Sequence, residues 1–284
     1  MTWALFLAAS ILAQAIANVM NRVVMKSADK GTWAYSALSQ IITGSLVGIY
    51  ALINGFQMPP LLELWPFFLM TTILNIGQNV FQNEALRTAE ISFFTILSST
   101  RILISMFAAF LVLGEHVTLA QGFGAIVMIA AVTVAFSRRF EWKWEPWMGY
   151  AFLYALCSGL VFIGDAKIVS QSPDVISYVA LAFLVPGFAT IAIKPWIAPD
   201  VFRLAASKQV IQMTAWSASY GFMAVTLWLA YYYGATASAM APIRQSAVIL
   251  TVIIAMIFLN ERTHMLRKTI AALLAILAVY LISV

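Results

Sequence analysis

The sequence has few of the residues from which soluble enzymes and metalloproteins are built. Its 284 residues include one cysteine, two histidines and only 10% charged residues. A single cysteine excludes an intrachain disulfide and a cluster of thiolate ligands. The charged fraction is far below the roughly one quarter that soluble domains average. We therefore predict no cofactor and no metal site, and expect neither a soluble catalytic domain nor a nucleic-acid-binding domain.

Apolar residues make up 63% of the chain and give it a mean hydropathy of +0.92. They fall into ten runs: 2–25, 32–53, 64–82, 91–113, 119–136, 146–163, 174–193, 209–232, 236–259 and 265–282. Runs of about 20 apolar residues can span a bilayer, and a helix satisfies its own backbone hydrogen bonds there. The pattern predicts an all-α polytopic membrane protein with ten transmembrane helices.

Two stretches in opposite halves of the chain share one order of features. Residues 91–115 and 237–261 each contain small polar residues, a long apolar run and an acidic turn. When Glu115 is aligned with Glu261, Leu113 falls on Leu259. Each half then carries five spans, and this odd number places the second half upside down in the membrane. We predict a first five-helix repeat over 1–140 and an inverted repeat over 141–284, an arrangement common in secondary transporters.

The basic residues are distributed unevenly over the predicted loops. One set of alternate loops holds thirteen of the 16 Lys and Arg residues, whereas the other set and both tails hold only Lys167. The thirteen are Arg22, Lys26, Lys30, Arg87, Arg138, Arg139, Lys143, Lys194, Arg203, Lys208, Arg262, Arg267 and Lys268. Because Lys and Arg gather on the cytoplasmic side of membrane proteins, we predict a multi-pass protein of the cell (inner) membrane with both termini outside the cytoplasm.

Several short motifs, in a particular order, resemble one family of transporters. They are 21–26 (NRVVMK), 84–92 (EALRTAEIS), 113–115 (LGE), 233–238 (YGATAS), 241–242 (AP) and 259–261 (LNE). With them the sequence resembles the ten-helix EamA-type members of the drug/metabolite transporter superfamily. The resemblance implies alternating access through a central cavity lined chiefly by the third, fourth, eighth and ninth helices, with the first and sixth closing its sides.

Two arginines lie well inside predicted spans, where a charged side chain costs roughly 2.5 to 3.5 kcal/mol. In the aligned repeats Arg101 and Arg244 are three residues apart, so they share one helix face and point towards the axis between the halves. A guanidinium keeps its proton, and no carboxylate lies near mid-depth in a predicted span. We predict that both arginines bind an anionic group such as a carboxylate or phosphate. The alternative is a structural role, with each arginine bonded to backbone carbonyls or to amides such as Asn75 and Asn79.

Amide side chains form stripes on two of the predicted spans, at spacings that place each stripe on one helix face. The amides considered as substrate-binding residues are Gln14 and Asn18 in the first span and Asn75, Gln78, Asn79 and Gln82 in the third. An amide facing lipid would lack hydrogen-bond partners, so both stripes face the bundle interior or a wet cavity. We predict that they bind the polar part of a substrate; hydrogen bonding between helices is the alternative.

Five further positions have functional interpretations. Pro242 removes a backbone hydrogen bond in mid-helix and is either a hinge or a packing kink. Trp216 and Tyr220, four residues apart, are candidates to stack on the substrate. Glu90, at the turn between the third and fourth spans, is a candidate for a gate on the cytoplasmic side, as is Glu84.

Two glycine features point to close helix contacts. Gly44 and Gly48 form a GxxxG motif, which permits close approach of a second helix and is weak support for a dimer. Pro186-Gly187 in the seventh span is interpreted as a hinge or a packing feature.

Together these patterns predict a secondary transporter, not an enzyme, that moves a small organic anion or zwitterion such as an amino acid by alternating access. One alternative keeps the fold and exports hydrophobic or quaternary cations through an aromatic cage. A remote alternative is a membrane enzyme or lipid-handling protein, which would need converging titratable groups that the spans lack. The predicted partners are the substrate and the lipid bilayer. Coupling to a proton or counter-substrate, and the choice between monomer and homodimer, are left open.

Overall fold

The computed structural model describes residues 2–29, 31–104, 107, 118–136, 144–233, 246–259 and 265–283. Of these described residues 86% lie in helices, and no strand occurs among them. Ten helices, labelled in chain order, overlap the ten predicted runs. They are α1 Thr2–Lys26, α2 Thr32–Asn54, α3 Trp65–Thr88, α4 Ile91–Ser98, α5 Leu119–Phe136, α6 Pro146–Val169, α7 Val175–Ile193, α8 Gln209–Tyr232, α9 Ser246–Phe258 and α10 Met265–Ser283.

An eleventh α-helix, which was not predicted, lies between α7 and α8. It covers Ala198–Ala205 and follows a 3-10 turn at Pro195–Ile197. Its Val201 and Leu204 side chains are buried, whereas Phe202 is exposed. The count within the described ranges is therefore eleven helices rather than ten. Four of them, α1, α2, α6 and α7, are long and apolar enough to cross a membrane.

Two helices continue beyond their predicted ends. The third was predicted to end at residue 82 and the sixth at residue 163, but they end at Thr88 and Val169. A helix satisfies its own backbone, so it can continue after the apolar run stops, provided that its polar side chains find partners. Asp165 of α6 does so, because the Tyr178 hydroxyl of α7 donates to its carboxylate at 2.7 Å. Glu84 of α3 likewise accepts from the Thr32 hydroxyl.

The helix pairs show a regular pattern. The most extensive contacts join α3 to α6, α1 to α8, α2 to α7 and α5 to α10. When each of the first five helices changes places with the helix five positions later, α3–α6 becomes α8–α1, and α2–α7 and α5–α10 are unchanged. The same exchange converts the α1–α9 contact into the α6–α4 contact. The first five and the last five helices thus make equivalent main contacts.

Glycines bring α2 and α7 into close contact. A Cβ at Gly44 would lie 2.7 Å from the backbone nitrogen of Leu184 and 2.9 Å from the carbonyl oxygen of Ala180. A Cβ at Gly187 would lie 2.8 Å from Cγ1 of Ile41. The glycine motif of α2 is therefore used inside one chain. Helix α7 is continuous through Pro186, and Gly187 lies at the contact with α2.

Candidate functional site

A small, partly open cavity of about 20 Å³ lies where α1, α4, α6 and α9 meet. The described residues that line it are Gln14 and Asn18 of α1, Phe94, Thr95, Ser98, Ser99 and Arg101 in or just after α4, Tyr154 of α6, and Ala247 and Val248 of α9. Two of these helices come from the first five and two from the last five. The cavity therefore lies between the two halves of the chain.

The backbone tightens where α4 passes the cavity. Helix α4 ends at Ser98, and the N–H groups of Ile102 and Leu103 bond to the carbonyls of Ser99 and Thr100 at 3.2 and 2.9 Å. These bonds span three residues instead of the four of an α-helix, a change that often marks a functional hinge. The side chain of Arg101 enters the cavity wall at this irregular turn.

Helix α6 contacts both the side chain and the backbone of Arg101. The guanidinium Nη1 donates a hydrogen bond to the Tyr154 hydroxyl at 3.4 Å. The Tyr154 ring is tilted against Phe94, with the ring centroids 5.2 Å apart. One and a half turns further along α6, a Cβ at Gly159 would lie 2.7 Å from the Arg101 carbonyl oxygen. Glycine at this position thus lets α6 approach the turn that carries the arginine.

The cavity has an uneven charge. Arg101 is the charged residue among the lining residues that the structure describes, and no carboxylate is included in that set. A guanidinium stays protonated and forms strong, charge-assisted hydrogen bonds with carboxylates and phosphates. The wall described here therefore favours an anionic group over a cation.

Three hydroxyl groups on α4 use their protons within the helix. Thr95 donates to the Ile91 carbonyl at 2.7 Å, while Ser98 and Ser99 donate to the Thr95 carbonyl at 3.0 and 2.9 Å. A hydroxyl whose proton is engaged can still accept hydrogen bonds through its oxygen. This face of the cavity therefore offers mainly acceptors, whereas Arg101 offers donors.

Three of the predicted site residues meet at this cavity. Gln14, Asn18 and Arg101 come from positions far apart in the chain and line the same space. The Asn18 amide nitrogen also lies 3.5 Å from the Thr251 hydroxyl of α9. Their role in substrate binding stays a prediction.

The predicted amide stripe of α3 does not line this cavity. Asn75, Gln78, Asn79 and Gln82 are all buried, and the Asn79 side chain donates to the Asn75 carbonyl at 3.0 Å. The structure thus places these amides inside the protein, between helices. The resemblance implied a cavity lined chiefly by the third, fourth, eighth and ninth helices. The described lining includes α4 and α9 as expected, but its other residues lie on α1 and α6 instead of α3 and α8.

The two predicted aromatic residues of α8 are likewise outside the described lining. Trp216 is buried, and Tyr220 packs edge-on against Phe183 of α7, with the ring centroids 5.6 Å apart. Their stacking role stays a prediction. Arg244 and Pro242 lie outside the described residues, and the pairing of Arg244 with Arg101 stays a prediction.

An ion pair joins the two halves at the other end of α4. The Lys268 ammonium of α10 donates to the carboxylate of Glu90, which precedes α4, and lies 4.8 Å from the Phe93 ring centroid. Lys268 is completely buried. The prediction that this lysine belongs to a loop was wrong, because Lys268 lies in the first turn of α10. The Glu90 carboxylate compensates its charge inside the bundle.

Sequence reasoning did not identify Tyr154 or the hydroxyls of Thr95, Ser98 and Ser99. The three hydroxyls did leave a signal, since residues 95–99 are unusually polar for the middle of an apolar run. Tyr154 left none, because a tyrosine in a transmembrane run is ordinarily an interfacial residue.

Comparisons with known proteins bear on the fold and the family. A solved crystal structure of a protein aligns over 99% of this chain and 96% of its own length, with a TM-score of 0.69 and 15% sequence identity; at that identity the likeness shows the fold alone. No curated protein matches the sequence. Residues 1–137 match the model of the EamA-like transporter family. The family predicted from the sequence is therefore confirmed for residues 1–137, which match the EamA-like transporters, part of the drug/metabolite transporter superfamily.

Proposed function

We propose that this protein is a secondary transporter that carries a small organic anion or zwitterion, such as an amino acid, by alternating access. Its family indicates a membrane transporter of small molecules. The observation that carries the substrate class is the Arg101 guanidinium in a cavity between the halves whose described lining holds no carboxylate. Within such a site an anion gains a charge-assisted hydrogen bond that a cation does not.

The proposed architecture is ten spans in two inverted repeats, 1–140 and 141–284. The exchange of helix contacts between the first five and last five helices supports it. A cavity between such repeats is the usual place for a transporter's substrate. The charge bias supports a location of both termini outside the cytoplasm, so an enzyme reporter that works only outside should be active when fused after residue 284. Activity of a cytoplasmic reporter at that position would reverse the proposed orientation.

In the proposed mechanism the two halves rock so that the cavity opens to one side at a time. The Glu90–Lys268 pair joins the halves on the side that the basic loops mark as cytoplasmic. This contact separates when the cavity opens to the cytoplasm, with Pro242 as the proposed hinge. Arg244, the α3 amides and the α8 aromatics remain proposed contributors to binding in the other state.

The substrate class is tested by removing the Arg101 charge in the purified protein. Thermal unfolding is measured with acetate, benzoate, leucine, inorganic phosphate and tetraethylammonium. A ligand at 100 times its dissociation constant stabilises the folded state by about 2.7 kcal/mol. We expect at least one anionic or zwitterionic probe to stabilise the native protein, and Arg101→Gln to lose that stabilisation.

Arg203→Gln provides the matched control, since Arg203 is an exposed arginine paired only loosely with Asp200, at 3.7 Å. It should respond to the probes as the native protein does. If Arg101→Gln kept full stabilisation by the anions, the role of Arg101 would be rejected. If tetraethylammonium alone stabilised both proteins, the cation-exporter alternative would replace the proposal.

A further inference from the structure

The Tyr154 side chain has a hydrogen-bonding capacity that its described surroundings do not use. Its exposed fraction is 6%, and its oxygen accepts from Arg101 Nη1 at 3.4 Å. Among the described residues no acceptor bonds to the hydroxyl proton of Tyr154. A buried donor without an acceptor is costly, and this one lies in the wall of the cavity.

Other hydroxyls of the described lining do not present a proton in the same way. Those of Thr95, Ser98 and Ser99 each donate to a backbone carbonyl of α4. Besides the amide N–H groups of Gln14 and Asn18, the described lining thus has two kinds of donor, the guanidinium N–H groups of Arg101 and the phenol O–H of Tyr154. They lie next to each other and come from different halves of the chain.

The position of the phenol relative to Arg101 is held by packing. Phe94 supports the Tyr154 ring at a centroid distance of 5.2 Å. Gly159 lets the α6 backbone approach the Arg101 carbonyl, where a Cβ would lie 2.7 Å from the oxygen. Two contacts on one helix therefore fix the distance between phenol and guanidinium before any ligand arrives, which lowers the entropic cost of binding.

We propose that Tyr154 determines the specificity of the site for anions, by donating its O–H to an oxygen of the group that Arg101 binds. This inference rests on the proposed function. The guanidinium hydrogen bond to the phenol oxygen polarises the O–H group and makes it a stronger donor. An anionic oxygen then accepts from both side chains, whereas a quaternary amine or an aromatic ring has no oxygen to accept the phenol proton.

The test is a double-mutant cycle measured as binding of benzoate, leucine and inorganic phosphate to the purified full chain. Tyr154→Phe keeps the ring and its contact with Phe94 but removes the donor. We expect it to weaken anion binding about tenfold, which corresponds to about 1.4 kcal/mol, and to leave the unfolding temperature without ligand nearly unchanged. In the Arg101→Gln background the same substitution should have no further effect, because the two groups act on one anion.

Tyr150→Phe is the matched control, since Tyr150 lies one turn earlier on α6 and stacks on Phe81, outside the described lining. Benzamide, which has the shape of benzoate without its charge, gives a readout that loss of packing would not produce. Tyr154→Phe should reduce the preference for benzoate over benzamide. Equal anion affinity in Tyr154→Phe and native protein would overturn the inference.

An equal loss of affinity with and without Arg101 would also overturn it, since the two residues would then act independently. The proposed function fails separately. If Arg101→Gln bound all three anions as tightly as the native protein, or the native protein bound none of them, the anion site itself would be wrong. If Arg101→Gln weakened anion binding but Tyr154→Phe did not, the anion site would be supported and the specificity role of Tyr154 would be wrong.

Discussion

The two halves of this protein meet in two different ways. At the α2–α7 contact, Gly44 and Gly187 let the helices approach until no further carbon fits. Where α1, α4, α6 and α9 meet, polar side chains and a tightened turn surround a small cavity. In lipid, helices gain little from apolar contact alone, because the lipid tails are equally apolar. Close approach through small residues therefore holds the first contact, and hydrogen bonds and charge hold the second.

This difference indicates that the α2–α7 contact and the cavity have different roles. Two helices in contact through glycines lose their packing when they move apart. The polar side chains of a cavity wall, in contrast, can exchange a hydrogen bond within the protein for one with water or a ligand. We therefore expect the α2–α7 contact to stay closed during transport, while the cavity changes its partners. Substitutions in each region should then differ in what they disturb.

The largest effect is expected where charge joins the halves. Glu90→Gln leaves the ammonium of Lys268, a fully buried residue, without its carboxylate. Removing one partner of a buried ion pair typically costs several kcal/mol, and we expect a loss of about 3 kcal/mol in the free energy of unfolding. Thermal and denaturant unfolding in detergent measures it. Glu90→Gln combined with Lys268→Met removes both charges and should recover most of the loss.

Asp200→Asn, which removes the acid of an exposed pair, is the comparison variant and should change stability by less than about 0.5 kcal/mol. If Glu90→Gln unfolded at the same temperature as the native protein, the Glu90–Lys268 ion pair would not stabilise the contact between the two halves near the cavity.

The next largest effect is expected at the glycine contact. Gly44→Ala forces a Cβ to within 2.7 Å of backbone in α7, so the helices must move apart. Overpacking of this kind costs about 2 kcal/mol, and ligand binding by the folded fraction should be preserved. Gly122→Ala in α5, where nothing lies within 4 Å of the new carbon, should unfold at or slightly above the native temperature. Equal unfolding temperatures for the two alanine variants would mean that α2 and α7 are not tightly packed.

The smallest effect is expected in the cavity wall. Thr95→Val keeps the shape of the side chain and removes one hydrogen bond, the 2.7 Å bond to the Ile91 carbonyl within α4. That carbonyl belongs to a helix and the cavity admits water, so we expect a loss of about 1 kcal/mol or less. If Thr95→Val lowered the free energy of unfolding as much as Gly44→Ala, the cavity wall would be as sensitive to substitution as the α2–α7 contact, and the distinction between the two regions would be wrong.

Much of the secondary structure could be predicted from the sequence. The ten apolar runs overlap ten of the helices because the thickness of the bilayer sets the length of a run. The ends at Thr88 and Val169 were not predicted, since the last turns of those helices include polar residues, Glu84 and Asp165, that hydrogen-bond to other helices. The short helix Ala198–Ala205 was missed as well, because eight residues give a weak periodic signal.

The candidate site was predicted in part. Arg101, Gln14 and Asn18 stood out because a polar group inside an apolar run is rare and therefore informative. Tyr154 did not stand out, since its chemistry depends on a guanidinium 53 positions away. The amides of α3 gave as strong a signal as those of α1, yet only the latter reach the described cavity.

The sequence by itself determined that this chain is helical, that its apolar runs suit a bilayer and that residues 1–137 match a transporter family. Those properties depend on local composition and on short motifs, which do not require knowledge of distant neighbours. Only the tertiary structure decided that the amides of α1 line the same cavity as Arg101. It also decided that Lys268 is buried against Glu90 and that Gly44 packs against α7 of the same chain. These outcomes depend on distances between groups far apart in the sequence, and no local pattern encodes such distances.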